Sequence, residues 1–351
     1  MSFSQLADRL QTEPAPLVDG NLVTFVWKGK TAPQLMGDFT DWERDSPLSM
    51  ECISEGLWIY QVELLEDAYI EYTYVKGDER LLDPLNPRRS PDGVGHINQF
   101  FYMPKASSTP LAKYNRSISH GIITTHQVAT YEIVVGKTRT VHLYQPPTAN
   151  PSPLVVVWDG KEYFRRGRLV QIIDNLIHQG RMRPVALAMV HHGGKARMSE
   201  YACSEATLLF LLYRVLPLAQ AHLNLVDLNE SPRSYGVLGA SMGGLMASYT
   251  ALRLPHMFGH VLCQSGGFSL GEVSSIVFDM VDKDWPPPLK IWMDIGLYDF
   301  RFLLDSNRHM HKLMVTKNYP VAYREYPGGH NYPSWRDEVW RGLEYLFPPS
   351  T

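Results

Sequence analysis

The feature that most restricts the fold of this chain is the segment Gly239-Ala240-Ser241-Met242-Gly243, followed by Gly244. It comes directly after the apolar residues 235–238 and before LMASYTALRL, a helix-like stretch. A serine flanked by glycines in this way is typical of a strained strand-to-helix turn, where larger side chains would clash. Such a turn raises the serine hydroxyl above a sheet. We therefore predict that Ser241 is a nucleophile at the edge of a sheet.

Strands and helices alternate from residue 117 onward. The predicted strands are residues 128–135, 140–145, 154–158, 185–190, 234–238, 260–264, 289–294 and 321–326. The predicted helices are residues 169–179 and 205–222, two segments after Gly243 and Phe302, and residues 335–347. Two antiparallel strands followed by apolar strands alternating with helices predict an α/β fold, a doubly wound, mostly parallel sheet of the α/β-hydrolase type.

The N-terminal region has a different pattern. From about residue 21 to residue 104, short β-rich runs are separated by turn residues, which predicts a smaller all-β sandwich of immunoglobulin type. Residues 105–116 are polar and turn-rich, as in a linker. The predicted organisation is therefore a β-sandwich over residues 1–104, a linker over 105–116 and a hydrolase domain over 117–351.

A serine hydroxyl needs a base to become a nucleophile at neutral pH, and the base needs a carboxylate to orient it. In this fold the order along the chain is serine, acid, histidine. His330 follows Tyr326-Pro327-Gly328-Gly329, which we predict to be a tight loop after the last strand. His309 and His311 fall within a helical pattern instead. His330 is the predicted general base.

The acid is predicted to follow the strand at residues 289–294. Asp299 lies just beyond that strand, whereas Asp294 would end it and Asp305 would belong to the next helix. Aspartate is also a favoured helix N-cap, so capping of the following helix is the competing role for Asp299. We predict Asp299 as the acid.

An oxyanion hole takes one backbone N–H from the residue after the nucleophile and another from the loop after the third strand. These rules predict the amides of Met242 and Lys161. The segment His191-His192-Gly193-Gly194 is similar to an oxyanion loop but follows the fourth strand. We predict that it faces the substrate.

Basic residues follow two of the predicted strands, where this architecture binds ligands. They are Arg165, Arg166 and Arg168 after one strand, and His191, His192, Lys195 and Arg197 after the next. Their charge suits an anionic small-molecule ester, although ordinary solvated residues are the alternative. The candidate substrate-binding residues are Asp159, Gly160, His192 and Arg197, and Trp285 is a candidate pocket wall.

Composition excludes several classes of protein. The chain has 33 basic and 36 acidic residues, a net charge of −3, which argues against nucleic-acid binding. Its three cysteines, Cys52, Cys203 and Cys263, are widely spaced and are expected to be buried reduced thiols. We predict no metal or other cofactor, no membrane segment and no secretory signal, and hence a cytoplasmic protein.

Several motifs of residues 117–347 together resemble the esterase D-like family. They are Trp158-Asp159-Gly160 with Tyr163, the segment around Ser241, Gly296 with Asp299, and Gly328-Gly329-His330 with Trp335. The family includes enterochelin (ferric siderophore) esterases, feruloyl and acetylxylan esterases and mycolyltransferases. The resemblance implies ester hydrolysis through an acyl-serine, with an iron-siderophore trilactone as one candidate substrate and feruloyl or acetyl carbohydrate esters as the alternative.

The N-terminal region resembles early-set immunoglobulin-like domains of the glycogen-binding type. The resemblance rests on Gly37-Asp38-Phe39-Thr40-Asp41-Trp42, Gly56-Leu57-Trp58, Tyr72-Thr73-Tyr74 and Asp83-Pro84. Enterochelin esterases carry a similar domain and are cytoplasmic, whereas the feruloyl esterases that also have it are typically exported. The expected absence of a secretory signal therefore favours the siderophore interpretation. Trp27, Trp42 and Trp58 could stack on sugars or belong to the core. A non-catalytic glycan-binding protein with a hydrolase fold is the alternative from another functional class.

Overall fold

The computed structural model of the chain describes residues 6, 8–93, 95–270, 273–283 and 286–349. Contacts divide the chain into two compact units. The first unit comprises Met1–Ser108, Gly296–Arg301 and Tyr326–Ser334, and the second comprises Thr109–Ile295, Phe302–Glu325 and Trp335–Thr351. Trp285, the candidate pocket wall, lies outside the described residues.

The first unit contains two antiparallel sheets. Its strands are β1 Leu17–Asp19, β2 Leu22–Lys28, β3 Gln34–Gly37, β4 Leu48–Ser49, β5 Glu51–Ser54, β6 Leu57–Glu63, β7 Tyr69–Lys76, β8 Glu79–Leu81, β9 Arg89–Pro91 and β10 Ile97–Tyr102. One sheet has the order β1-β2-β6-β5, and the other has the order β4-β3-β7-β10-β9 with β8 paired to β7. The antiparallel β-structure predicted for the N-terminal region is confirmed.

Aromatic side chains fill the core of this unit. Phe25 packs edge-on against Tyr72 at a ring-centroid distance of 4.8 Å and against Phe101 at 5.9 Å. All three side chains are buried, and they come from β2, β7 and β10. Inward-facing aromatic residues of this kind supply most of the apolar area that a small β-structure can bury.

The strands of the large sheet are β11 Ile122–Ala129, β12 Thr138–Gln145, β13 Leu154–Val157, β14 Ala186–Val190, β15 Tyr235–Ala240, β16 Phe258–Gln264, β19 Lys290–Tyr298 and β20 Val321–Gly329. A separate pair is formed by β17 Ser269–Leu270 and β18 Val273–Ser274. The sheet order is β11-β12-β14-β13-β15-β16-β19-β20. The pairs from β14 to β19 are parallel, whereas β11 and β12 run antiparallel. The predicted mostly parallel sheet is therefore confirmed.

Helices connect these strands. They are α1 Gly160–Arg165, α2 Leu169–His178, α3 Arg197–Tyr201, α4 Glu205–Phe210, α5 Leu216–His222, α6 Met242–Arg253, α7 Val277–Val281, α8 Arg301–Thr316 and α9 Tyr332–Leu346. A π-helical turn, Leu211–Val215, joins α4 to α5. No single helix in the described ranges is long and apolar enough to cross a membrane; only the pair Gly194–Tyr201 and Glu205–His222, bent by 103°, passes on length and composition.

The strand predicted at residues 128–135 is wrong. The strand is Ile122–Ala129, and residues 130–137 turn back toward β12. Tyr131 and Glu132 have φ values of 47° and 63°, which an extended strand does not allow. The actual strand lies at the sheet edge, is mostly exposed, and does not alternate apolar with polar residues, the pattern from which strands are predicted.

The ends of β19 and β20 also differ from the prediction. Asp294 does not end its strand, which continues to Tyr298, and the predicted loop at residues 326–330 is strand as far as Gly329. A Cβ atom on Gly296 would lie 2.0 Å from the carbonyl oxygen of Gly328. The glycines therefore allow two backbones to approach closely, rather than forming a loop.

The prediction of buried cysteines is wrong for two of the three. Cys263 is buried, Cys203 is partly buried and Cys52 is exposed, and all three are free thiols. Cys52 lies on β5, where the residues face solvent on more than one side.

Candidate active site

Ser241 occupies a strained turn between β15 and α6. Its φ of 57° and ψ of −125° lie outside the regions that side chains ordinarily adopt. Its N–H donates to the carbonyl oxygen of Gln264 at 2.9 Å, and its own carbonyl accepts from the N–H of Gly267 at 2.9 Å. The neighbouring strand and the loop after it therefore hold the serine backbone in this conformation.

Three glycines around the serine are required by close approach. A Cβ atom on Gly239 would lie 2.2 Å from the carbonyl oxygen of Gly243, so no side chain fits there. A Cβ atom on Gly243 would lie 3.0 Å from Asp159 Oδ2, and one on Gly244 would lie 2.9 Å from Cys263 Sγ. The helix can thus begin directly beneath the serine only because these positions lack side chains.

The loop after β13 is fixed by an ion pair. Arg197 Nε and Nη2 donate to the two carboxylate oxygens of Asp159 at 2.7 and 2.6 Å. Asp159 is 1% exposed, has a φ of 55° and donates its N–H to the hydroxyl of Tyr201. The two charges neutralise each other, so two of the four predicted substrate-binding residues, Asp159 and Arg197, are engaged in holding this loop.

The two predicted oxyanion donors are first-turn amides. Met242 is the first residue of α6 and Lys161 is the second residue of α1. Amides at these positions have no carbonyl partner within their own helix. Gly160 starts α1 against β14, where a Cβ atom would lie 2.2 Å from the carbonyl carbon of Met189. The sequence Asp-Gly-Lys therefore turns from strand to helix in very little space.

Several basic side chains lie close together beside this loop. The pKa of His191 is lowered to about 4 by burial and then by neighbouring basic groups, namely His142, Lys161, His192 and Arg165. The ring of His142 lies 4.7 Å from that of His191. Residues from both predicted basic segments thus lie in one group, which we call the basic cluster: His142, Lys161, Arg165, His191 and His192. Its charged members are Lys161 and Arg165, since a low pKa leaves His191 neutral at pH 7.

The predicted acid and base are hydrogen-bonded to each other in the first unit. His330 Nδ1 lies 2.8 Å from Asp299 Oδ1, which also accepts the N–H of Phe300 at 2.7 Å. The Asp299 side chain is fully buried and that of His330 is 15% exposed. A buried carboxylate at Nδ1 fixes the ring and favours a tautomer in which Nε2 can accept a proton.

The competing acids and histidines have other surroundings. Asp294 is buried and accepts from Trp292 Nε1 at 2.8 Å, and burial raises its pKa to about 7. Asp305, His309 and His311 lie on α8, as their helical pattern predicted. The competing role of Asp299 as a helix cap is not seen in its hydrogen bonds, because Oδ1 bonds the histidine and the N–H of Phe300, which precedes α8.

Sequence reasoning missed Gln264 as a support of Ser241. Its carbonyl accepts from Ser241, while its buried side chain accepts from Tyr163 and donates to Asp294. Its position at the end of the strand next to the serine strand was the available signal. Among the residues that the structure describes, no group of three or more histidine, cysteine or acidic side chains is arranged to hold a metal ion.

The chain is similar to known proteins in both sequence and structure. Residues 134–346 match the model of the Esterase family, described as "Putative esterase". The iron(III) enterobactin esterase of Dickeya dadantii strain 3937 is 27% identical over 293 residues, which cover 76% of this chain. The chain spans 65% of the length of that relative.

Solved structures extend the similarity to nearly the whole chain. The enterobactin esterase of Shigella flexneri, crystallised in the presence of enterobactin, has a TM-score of 0.78 at 20% identity and 97% coverage of both chains. A ferulic acid esterase has a TM-score of 0.56 at 18% identity and covers 65% of this chain and 98% of its own. At these identities the similarity describes the fold.

Proposed function

We propose that this chain, which belongs to the Esterase family, hydrolyses carboxylic esters through an acyl intermediate on Ser241. The observation that carries the proposal is the positive φ of Ser241 at the turn from β15 to α6. Strain of this size costs roughly 1–3 kcal/mol and is characteristic of functional positions. A serine held there presents its hydroxyl at the carboxyl end of a parallel strand, where this architecture binds ligands.

In the proposed reaction, His330 removes the proton from the Ser241 hydroxyl as the oxygen attacks the ester carbonyl. Asp299 stabilises the resulting imidazolium through the Nδ1 hydrogen bond. Collapse of the tetrahedral intermediate breaks the C–O bond, and the imidazolium gives its proton to the departing alcohol. Water, deprotonated by His330, then attacks the acyl carbon, and the imidazolium returns the proton to Ser241 Oγ as the C–Oγ bond breaks and the carboxylic acid leaves.

The oxyanion formed in both steps needs hydrogen-bond donors. We assign this role to the amides of Met242 and Lys161, since first-turn amides point toward a developing negative charge with the positive end of the helix behind them. In this proposal Asp159 and Arg197 act by keeping the loop that carries Lys161 in place.

The proposed substrate is an anionic iron-siderophore trilactone of the enterobactin type. The similarity to enterobactin esterases supports this choice, and so does the basic cluster beside the loop after β13. A feruloyl or acetyl carbohydrate ester is supported less well, because the ferulic acid esterase matches a smaller share of this chain. We also propose that residues 1–104 form an early-set immunoglobulin-like domain, followed by a linker and a hydrolase domain from residue 117.

The test of the mechanism is turnover of a nitrophenyl ester by wild type, Ser241→Ala and His330→Ala, with Ser274→Ala, an exposed serine on β18, as control. We expect each active-site substitution to lower kcat by at least about a thousandfold, and the control to leave kcat unchanged. A fluorophosphonate probe should label wild type and the control but not Ser241→Ala.

Retained turnover in Ser241→Ala would exclude an acyl-serine. A folded wild-type protein that the probe does not label would instead indicate a non-catalytic, glycan-binding protein. Comparing iron-loaded and iron-free enterobactin with feruloyl sugars assigns the substrate class. Preferential hydrolysis of the feruloyl sugars would contradict the siderophore assignment.

A further inference from the structure

The segment Gly37 to Asp45, which suggested glycan binding in the sequence, is turned inward within the first unit. It forms two 3₁₀ turns, Asp38–Thr40 and Trp42–Arg44. Trp42 is 8% exposed and donates from Nε1 to Asp38 Oδ1 at 2.9 Å. Its ring therefore does not offer an open face for a sugar, and the acidic residues of the segment require another explanation.

Asp38 contacts the residues on both sides of His330. A Cβ atom on Gly329 would lie 2.3 Å from Asp38 Cγ, so the carboxylate packs directly on the Gly329 backbone. Asn331 Nδ2 lies 3.5 Å from Asp38 Oδ2, which also accepts the N–H of Glu71 at 2.7 Å. The backbone that carries the imidazole is thus packed against a buried side chain from the 3₁₀ turn that follows β3.

The same segment also supports the residues after Asp299. Asp41 Oδ1 accepts the N–H of Arg301, the first residue of α8, at 3.1 Å. The guanidinium of Arg44 lies 4.0 Å from the centroid of the Phe300 ring, and that ring lies 4.8 Å from the imidazole of His330. The acid and the base are therefore supported from one short stretch of chain.

Burial of Asp38 is costly for stability. It is 4% exposed, and its pKa is raised by burial and by the neighbouring carboxylates of Glu71 and Asp299. Burying a carboxylate near two others opposes folding unless its hydrogen bonds compensate. A gain in stability therefore does not explain an aspartate at this position. Its contacts with the residues on both sides of His330 do.

We infer that Asp38 is a positioning residue, which fixes the backbone of Gly329 to Asn331 so that His330 keeps its orientation toward Asp299. The inference rests on the proposed catalytic role of that pair. Asp38 itself contacts no substrate in this assignment. A displacement of about 1 Å in a catalytic group can lower the rate a hundredfold, which is the scale of effect that the support would prevent.

The test uses the full chain with Asp38→Ala, and with Glu43→Ala as control. Glu43 belongs to the same segment, but its exposed carboxylate pairs with Arg80. We expect Asp38→Ala to lower kcat roughly tenfold to a hundredfold while KM changes less than about twofold, because the base moves and the binding surface does not. The imidazole N–H resonance of His330, assigned by its loss in His330→Gln, should shift or broaden.

A second pair of variants tests the same contact from the Gly329 side. If Asp38→Ala does not fold, Gly329→Ala alone decides the question, and wild-type kcat in that variant would contradict the inference. Gly329→Ala places a methyl group against the Asp38 carboxylate and should lower kcat, and adding Asp38→Ala to it should restore part of the loss. A folded Asp38→Ala protein with wild-type kcat and resonance, or a double variant no better than Gly329→Ala, would overturn the inference. Turnover by Ser241→Ala would instead reject the proposed function.

Discussion

Single residues of this molecule are held in conformations that their own sequence neighbourhood does not favour. Ser241, Asp159 and Arg168 all have φ between 48° and 57°, a region that non-glycine residues avoid. Ser241 and Asp159 each stand at a strand-to-helix turn, and each is retained by hydrogen bonds from other elements. The strain in these turns is therefore balanced by tertiary contacts rather than by local preference.

The ion pair between Asp159 and Arg197 leads to a prediction about stability. Replacing Arg197 by Met leaves the Asp159 carboxylate buried without its partner, so we expect a loss of about 1–3 kcal/mol, less than for a fully buried pair because Arg197 is partly exposed. Urea unfolding followed by circular dichroism measures this loss. The control is Arg165→Met, an exposed arginine of the same region.

A double-mutant cycle separates the pair from its surroundings. In Asp159→Asn the charge is absent, so adding Arg197→Met should cost much less than it does in wild type. Additive losses would show that Arg197 stabilises the loop through contacts other than this carboxylate.

The sequence was sufficient to predict the strand-to-helix turn at Ser241, because Gly239 and Gly243 approach each other closely within that turn. Chain order and fold type were enough to propose His330 and Asp299. Asp38 could not be predicted in the same way, since its contact with Gly329 joins segments far apart in the chain. Gln264 escaped for a similar reason, because its support of Ser241 depends on the strand order of the sheet.

At the scale of elements, Asp174 of helix α2 forms hydrogen bonds with the segment that precedes β11. Asp174 accepts from Tyr144 Oη at 2.6 Å and from the N–H of Gly121 at 3.1 Å, and it pairs with His120 Nδ1 at 2.9 Å. His120 Nε2 lies 2.8 Å from the carbonyl oxygen of Asn115. With an acceptor at each ring nitrogen, the imidazole is best satisfied when doubly protonated.

This arrangement gives a pH dependence of stability. The hydrogen bond to Asp174 raises the pKa of His120 in the folded protein above its ordinary value of about 6.5. The stabilisation is therefore complete below about pH 6.5 and is lost as the pH rises through the folded pKa. The difference in unfolding free energy between wild type and His120→Gln, in favour of wild type, should therefore be larger at acidic pH than at alkaline pH.

Chemical unfolding of both proteins at several pH values between about 5.5 and 9 measures that difference. His178→Gln, an exposed histidine at the end of the same helix, should show no comparable trend. A stability difference between wild type and His120→Gln that does not change with pH would contradict the assignment.

Element interiors were predictable and element ends were not. The buried central strands, such as β13 and β15, are apolar on both faces and so are evident from composition. The edge strand β11 is mostly exposed, and its apolar and polar residues do not alternate, so its pattern does not distinguish it from a loop. The ends of β19 and β20 depend on the contact between Gly296 and Gly328, which no local pattern encodes.

At the scale of the whole molecule, the reactivity of the cysteine thiols measures how well the fold shields buried side chains from reagents. Burial raises the pKa of both Cys203 and Cys263 to about 12, whereas Cys52 is exposed. Only the thiolate reacts with disulfide reagents. We expect Cys52 to react rapidly at pH 8 in the folded protein, and the other two of the three thiols to react only as it unfolds.

Titration with a thiol-reactive chromogenic disulfide, with and without guanidinium, tests this expectation. Cys52→Ser should remove the rapid phase and leave the slow one. A second rapidly reacting thiol in folded wild type would show that the region around Cys203 or Cys263 opens without global unfolding.

The division of the chain into units does not follow the order of the sequence. Gly296–Arg301 and Tyr326–Ser334, which hold Asp299 and His330, group with the N-terminal strands. A shortened protein that begins at residue 109 would keep the turn at Ser241 but lose every N-terminal neighbour of Asp299 and His330. If such a truncated protein is inactive, the N-terminal strands are needed for activity. They could then be lost in evolution only after another part of the chain came to support His330.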